Sequence, residues 1–145
     1  MYEKILLAYD GSESGQQALL GCQDIAQWSK AALTLVAVTP LSVQMVGLEG
    51  GFYDPSLADI DKQKYAHILA DGLRRLAAAG HAATGQLLLG ETVDEIVRQA
   101  EKIGADLIVV GHKHRESWAA RWWRGAVSKS LIEHAPCSVL VVIAR

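Results

Sequence analysis

Residues 104–111 read Gly-Ala-Asp-Leu-Ile-Val-Val-Gly, and this stretch decides the fold class. The apolar run Leu107–Val110 is continuous and does not alternate with polar residues, which is typical of a strand covered on both faces. Strands of this kind belong to parallel sheets, because the helices that connect parallel strands cover both sides of the sheet. The stretch therefore predicts an α/β fold.

Further apolar runs predict four more strands, at Ile5–Tyr9, Leu33–Val38, Gln86–Leu89 and Val139–Ile143. Helical patterns fill the gaps between them. They follow Gly11, cover Ser56–Ala79, run from Thr92 to Gly104, and run from near Gly125 to Ala135-Pro136. Strict alternation of strands and helices predicts a three-layer α/β/α sandwich, Rossmann-like, with a five-stranded parallel sheet. The length of 145 residues fits a single domain that spans residues 1–145.

Two helix starts carry the spacing of a capping box. Ser14 precedes Gln17 by three residues, and Thr92 precedes Glu95 by three. In such a box, the first side chain accepts a hydrogen bond from a backbone N–H of the first turn. The spacing therefore predicts Ser14 and Thr92 as N-caps.

The charge is spread unevenly along the chain. The net charge is −2, which argues against general binding to nucleic acid or to a membrane surface. Basic residues nevertheless concentrate between residues 111 and 130, where Glu116 is the one acid. This cluster favours a small anionic ligand over a duplex, and its alternative is a solvated basic surface.

Cysteine usage predicts the compartment. Cys22 and Cys137 form neither a Cys-x-x-Cys pair nor a metal-ligand spacing, so we expect free, buried thiols. Met1 leads almost directly into a charged pair and a strand, without a visible signal peptide, and no apolar run is long enough to span a bilayer. These features predict a cytoplasmic protein.

The carboxyl ends of the first and fourth strands are the expected ligand site. Ligands of open α/β sheets bind at this edge, where the strand order reverses. Asp10 follows the first strand and Gly111 ends the fourth, ahead of a basic loop that reaches Gly125 at a helix start. A helix N-terminus and a close glycine backbone suit phosphate, and the Ser128 hydroxyl lies within the first turn. The pattern suits a nucleotide.

Several stretches resemble the universal stress protein family from one end of the chain to the other. They are Tyr9-Asp10-Gly11-Ser12, Gly90-Glu91-Thr92, residues 104–111, and the tail from His134 to Val142. The resemblance implies an adenine nucleotide alpha hydrolase-like fold with strand order 3-2-1-4-5. It also implies a homodimer in which the last strand pairs with its copy.

One branch of that family binds ATP, and this chain keeps part of the branch's pattern. Gly111 matches the first glycine of the motif, Ser128 a later hydroxyl position, Asp10 the acidic residue, and Val38 the residue whose backbone meets adenine. The resemblance therefore implies bound ATP, with Mg²⁺, and a regulatory role without turnover.

The chain departs from the same pattern elsewhere. His114 stands in place of the second glycine, the spacing to Gly125 is one residue longer, and Ala126 replaces a hydroxyl residue. An imidazole at this point could clash with a phosphate or donate to it. The predicted nucleotide site comprises Asp10, Val38, Gly111, His114, Arg115, Gly125, Ala126, Val127 and Ser128, with no catalytic residue and no resident metal.

Other functions stay open at this point. The family's second branch does not bind ATP, and Gly111-His112 followed by Trp118 resembles the corresponding residues of that branch. A dimeric interaction module that does not bind ATP is therefore the alternative. Trp122 and Trp123 lie among arginines, a pattern that single-stranded nucleic acid can use but that also suits packing or a subunit interface. His112 could form a metal pair with His114 or a hydrolytic triad with Asp10 and Ser12, and neither is supported by a complete motif.

Overall fold

The computed structural model describes residues 2–40, 55–113 and 126–144 of the chain. Its strands are β1 (Lys4–Ala8), β2 (Ala32–Pro40), β3 (Ala83–Gly90), β4 (Leu107–Lys113) and β5 (Ser138–Ala144), and its helices in the described parts are α1 (Glu13–Ser29), α2 (Pro55–Ala78), α3 (Thr92–Ile103) and α4 (Ala126–His134).

The strands form one parallel sheet in the order β3-β2-β1-β4-β5. This confirms the predicted fold class and strand order. β1 is the central strand, and β3 and β5 are the edges. The chain moves outward from β1 to β3 and then crosses back to β4, so the strand order reverses beside β1.

Helices cover both faces of the sheet. On one face, α1 packs over β4 and β5 and α2 packs over β2 and β3. The core of that face includes Leu7, Cys22, Leu35 and Val109. On the other face, α3 and α4 enclose a second apolar core around Val36, Ile96 and Leu131. Burial on both faces is what the continuous apolar runs predicted.

The helix starts differ from their prediction by one or two residues. Ser12, and not Ser14, caps α1, where its hydroxyl accepts from the backbone N–H of Gly15. Glu91, and not Thr92, caps α3, and its carboxylate accepts from the backbone N–H of Asp94 over 2.8 Å. In both cases a side chain one or two residues upstream accepts from a backbone N–H of the first helical turn. The capping-box spacing therefore predicted the correct turn but the wrong capping residue.

β4 runs further than the prediction, which ended it at Val110. Gly111, His112 and Lys113 continue the strand and pair with Val142, Ile143 and Ala144 of β5. Pairing at a sheet edge does not require apolar side chains, so the polar end of the strand gave no apolar signal. Residues 41–54, which separate the second predicted strand from the second predicted helix, and the tryptophans at 118, 122 and 123 lie outside the described residues.

The two thiols differ in environment. Cys22 is fully buried, and burial raises the pKa of its thiol to about 12. Cys137 is only partly buried, so the expectation of burial holds fully for Cys22 alone. None of the helices in the described ranges combines the length and apolar character that crossing a bilayer requires.

Candidate functional site

The carboxyl edge of the sheet has a gap above β1. β1 pairs with β2 as far as Ala8 opposite Val36, and with β4 as far as Ala8 opposite Val110. Among the strands that the structure describes, β2 continues to Pro40 paired with β3 alone, and β4 continues to Lys113 paired with β5 alone. We call this gap the β1 notch. It lies where the strand order reverses, which is where open α/β sheets bind their ligands.

Val38 lies on the wall of the β1 notch that β2 forms. In a parallel strand, the N–H and C=O of one residue point to the same neighbouring strand, and those of the next residue point to the other. Val36 accepts a hydrogen bond from the backbone N–H of Tyr9 over 2.9 Å, so its backbone faces β1. The backbone of Val38 faces the same side, beyond the end of β1. No residue in the described ranges hydrogen-bonds to Val38 from there.

Asp10 lies at the floor of the β1 notch, directly after β1. Its Oδ1 accepts from the backbone N–H of Ser12 over 2.9 Å and from the Ser12 hydroxyl. The same hydroxyl caps α1 by accepting from Gly15 N–H over 3.0 Å. The Asp10 side chain is exposed, and within the described chain its Oδ2 has no hydrogen-bond partner. Asp10 is therefore held through one oxygen and presents the other to solvent.

Gly111 has a packing role at this site. A Cβ at position 111 would lie 2.2 Å from the backbone oxygen of Ser14 and 2.8 Å from the backbone nitrogen of Gly15. β4 therefore approaches the first turn of α1 more closely than any side chain would permit. Gly111 lies within β4 beside the notch, and the absence of a side chain there is required by the close packing of α1.

The N-termini of α1 and α4 both lie at the carboxyl edge of the sheet. α4 connects the carboxyl end of β4 to the start of β5, so it runs antiparallel to the strands and begins at this edge. Of the predicted phosphate residues, Ala126, Val127 and Ser128 form its first turn. Free N–H groups of such a turn favour an anion. Three others, His114, Arg115 and Gly125, lie outside the described residues.

His112 belongs to β4, with its side chain partly buried. Successive side chains of a strand alternate between faces, so His112 lies on the face of Val110, which α3 and α4 cover. In the residues that the structure covers, no three His, Cys, Asp or Glu side chains come together as a metal-binding group. Ser12, a member of the hypothetical triad, is engaged by Asp10 and by the cap of α1.

A network below the β1 notch was missed by the sequence analysis. The hydroxyl of Tyr9 donates to Asp71 Oδ2 over 2.9 Å, and Arg75 Nε donates to the same oxygen over 2.9 Å. Arg74 binds the other oxygen of Asp71. These bonds, that of Arg75 first and that of Tyr9 next, lower the pKa of Asp71. Burial raises the pKa of Tyr9, and the bond to Asp71 adds to the rise.

No local pattern could have revealed this network. Tyr9 and Asp71 are 62 residues apart in sequence. The periodicity of α2 identifies the buried side of the helix. It does not identify which residue after a strand contacts the polar side chains next to that side. The spacing of Asp71 to Arg74 and Arg75, three and four residues, suits ion pairs along a helix but gives no sign of the contact with Tyr9.

Comparison with known proteins gives a consistent result. The model of the universal stress protein family matches residues 1–142. A putative universal stress protein of Staphylococcus aureus is 32% identical over 148 aligned residues, which cover 97% of this chain and 84% of that protein.

Solved structures agree with this match. A crystal structure of a universal stress protein family member from Burkholderia pseudomallei superposes with a TM-score of 0.77 at 29% identity, covering 99% of this chain and 97% of the other. An Arabidopsis thaliana member with AMP bound superposes with a TM-score of 0.72 at 19% identity, covering 99% and 92% of the two chains. With the family model matching almost the whole sequence, this chain belongs to the universal stress protein family.

Proposed function

We propose that this protein binds an adenine nucleotide, ATP with Mg²⁺, in the β1 notch, and that it acts in the stress response by binding and not by turnover. The observation that carries the proposal is the wall of the notch at Val38. There the backbone N–H and C=O of Val38 face the position beyond the end of β1, where no residue of the described ranges hydrogen-bonds to them.

Adenine matches this pair of backbone groups. Its exposed edge offers one acceptor ring nitrogen beside one amino donor, which are the complements of an N–H and a C=O. Unpaired backbone groups gain most from a partner when water is excluded from them. The buried side chain of Val38 and the ladder between β2 and β3 hold the two groups in place. The fold accommodates an adenine nucleotide in at least one other protein, the AMP-bound plant member.

Asp10 supplies the second contact in the proposal. Its Oδ1 is fixed by Ser12, so the orientation of the carboxylate is set before a ligand arrives. The exposed Oδ2 would accept from a ribose hydroxyl or face a metal ion that the phosphates carry. Preorganised groups of this kind add affinity because less freedom is lost on binding.

The phosphates would lie at the first turn of α4, beside Gly111. The backbone of Ala126, Val127 and Ser128 provides the N–H groups, and His114, Arg115 and Gly125 complete the site as the sequence predicts it. When Mg²⁺ is bound with the nucleotide, it neutralises phosphate charge. Ala126 lacks the hydroxyl that the family motif has at its position, which removes a donor worth about 1 kcal/mol.

The proposal includes a cytoplasmic homodimer. β5 is an edge strand in this chain, and its residues Val139–Val142 are apolar and only partly buried. An open apolar edge is a template for pairing with another chain. Pairing of β5 with its copy would cover it in both subunits.

Isothermal titration with ATP and Mg²⁺, beside AMP, tests the proposal. We expect saturable binding in the micromolar range that Asp10→Asn weakens. Asp24→Asn is the matched control, because Asp24 is an exposed carboxylate on α1 away from the notch. No heat at millimolar ATP would contradict the proposal. If His114→Gly with Ala126→Ser then created binding, the protein would be an interaction module of the non-binding branch.

A further inference from the structure

Tyr9 fills the space between α1 and α2 directly below the β1 notch. Its side chain is 3% exposed. A Cβ on Gly15 of α1 would lie 3.1 Å from Tyr9 Cδ2, and a Cβ on Gly72 of α2 would lie 2.7 Å from Tyr9 Cδ1. Both helices approach the ring closely because each has a glycine at the contact. The ring is therefore fixed from two sides.

The hydroxyl of Tyr9 restrains the ring further, through a hydrogen bond. It donates to Asp71, and Asp71 is itself held by Arg74 and Arg75 one turn further along α2. We call these four side chains the Tyr9 tether. The tether joins the end of the central strand to α2, the helix that covers β2 and β3.

The contacts of Gly15 link the tether to Asp10. A Cβ on Gly15 would lie 3.0 Å from Asp10 Oδ1 as well as 3.1 Å from the Tyr9 ring. The first turn of α1 therefore packs against the side chains of both Tyr9 and Asp10. Ser12 also links that turn to Asp10 Oδ1 through its hydrogen bonds. A shift of the Tyr9 ring would move the turn and the Asp10 carboxylate together.

We propose that Tyr9 is a positioning residue for the nucleotide site, which holds the Asp10 carboxylate in its binding orientation through the tether to α2. This inference rests on the proposed function, since Asp10 is the residue through which it acts. Tyr9 itself is buried below the notch and makes no contact with a ligand in this proposal.

The test is a double-mutant cycle of Tyr9→Phe and Asp10→Asn. Tyr9→Phe keeps the ring between the two glycines and removes only the bond to Asp71, which retains both arginines, so we expect the fold to survive. We expect Tyr9→Phe to weaken ATP binding about three- to tenfold, the scale of one hydrogen bond. In the Asp10→Asn background the same change should alter affinity by less than about twofold.

The matched control is Tyr2→Phe. Tyr2 packs against the same core at the opposite end of β1, far from the notch. The Tyr2→Phe substitution should leave ATP affinity unchanged. A Tyr9→Phe effect that is equally large with and without Asp10 would overturn the proposal, because a general loss of stability does not depend on the carboxylate. An unchanged affinity in Tyr9→Phe would overturn it as well.

Amide hydrogen exchange separates this inference from the proposed function, because it needs no ligand. The Ser12 N–H donates to Asp10 Oδ1, so its exchange rate should report the position of that carboxylate. We expect faster exchange at Ser12 in Tyr9→Phe than in the wild type, and no change in Tyr2→Phe. Equal rates in all three proteins would overturn the positioning role, even if the wild type binds ATP. Faster exchange in a protein that binds no ATP would support positioning and contradict only the nucleotide proposal.

Discussion

Gly111 packs so closely against the first turn of α1 that a methyl group has no room there. Because the nearest atom to an added Cβ is a backbone oxygen, 2.2 Å away, the strand or the helix must move. We expect Gly111→Ala to lower the free energy of unfolding by about 1–3 kcal/mol, as overpacking does. Chemical denaturation monitored by circular dichroism measures it.

Gly21 is the control for this substitution, and its effect should have the opposite sign. It lies within α1, and in the described part of the chain an added Cβ would meet Val142 Cγ2 alone, at 3.4 Å, which is an ordinary contact. Gly21→Ala should raise the free energy of unfolding by up to about 1 kcal/mol, since alanine is the better helix former. Destabilisation of similar size in both variants would contradict the packing that we describe.

The two cysteines should react at different rates with a thiol reagent. The pKa of Cys22 is raised to about 12 by burial, so its reactive thiolate is scarce at pH 8 in the folded state. Burial also raises the pKa of Cys137, but that side chain is partly accessible. We expect one thiol to react readily in native protein and the second only on unfolding. Equal reaction of both in the native state would contradict the burial of Cys22.

At the scale of elements, the start of α3 distinguishes the two possible caps. The carboxylate of Glu91 accepts from Asp94 N–H, whereas Thr92 is the first helical residue. We expect Glu91→Ala to lower the free energy of unfolding by about 1 kcal/mol and Thr92→Ala to have less effect. If denaturant titration showed a larger loss of stability for Thr92→Ala than for Glu91→Ala, Thr92 would be the cap, as the capping-box spacing predicts.

The Tyr9 tether joins β1 to α2, and the resulting stability should depend on pH. The pKa of Asp71 is lowered by its hydrogen bonds to Arg75 and Tyr9, so the folded state binds the proton of this carboxyl less readily than the unfolded state. The contribution is therefore present above about pH 4, the unfolded value, and is lost as the pH falls through the folded value.

Asp71→Asn tests this dependence. The melting temperature of the wild type should exceed that of Asp71→Asn at pH 6, and the difference should shrink as the pH approaches about 2.5. The exposure of both arginines keeps the expected difference small. A difference that is constant with pH would show that the ionised carboxylate contributes nothing.

The sequence predicted the centres of the elements better than their ends. Continuous runs such as Leu107–Val110 mark a buried strand because both faces must be apolar. The same strand ends in His112 and Lys113, whose backbones pair with β5, and backbone pairing needs no apolar side chain. The notch depends on these polar extensions, so its geometry could not be predicted from hydrophobicity. Asp10 was predicted from its position after the first strand as well as from family resemblance, whereas Val38 was predicted from the resemblance alone. Tyr9 was missed because its partner Asp71 lies on a helix distant in sequence.

At the scale of the whole molecule, the two edges of the sheet should differ in assembly. Ile143 of β5 and Leu89 of β3 are similarly exposed, at 56% and 55%. If β5 pairs with its copy, Ile143→Lys should shift the protein from dimer to monomer, because a lysine on an edge strand opposes pairing. Leu89→Lys should leave the dimer intact. Light scattering after size exclusion measures both, and a monomeric wild type would contradict the proposed assembly.

We propose above all that an adenine nucleotide binds in the β1 notch with its base on the backbone of Val38. A titration of isotope-labelled protein with ATP and Mg²⁺, followed by amide chemical shifts, tests binding and location together. We predict saturable shifts at Val38 and at Asp10–Ser12, with little change at Ser138 and the other residues at the amino ends of the strands. Shifts that never saturate, or that appear only away from the notch, would contradict the account.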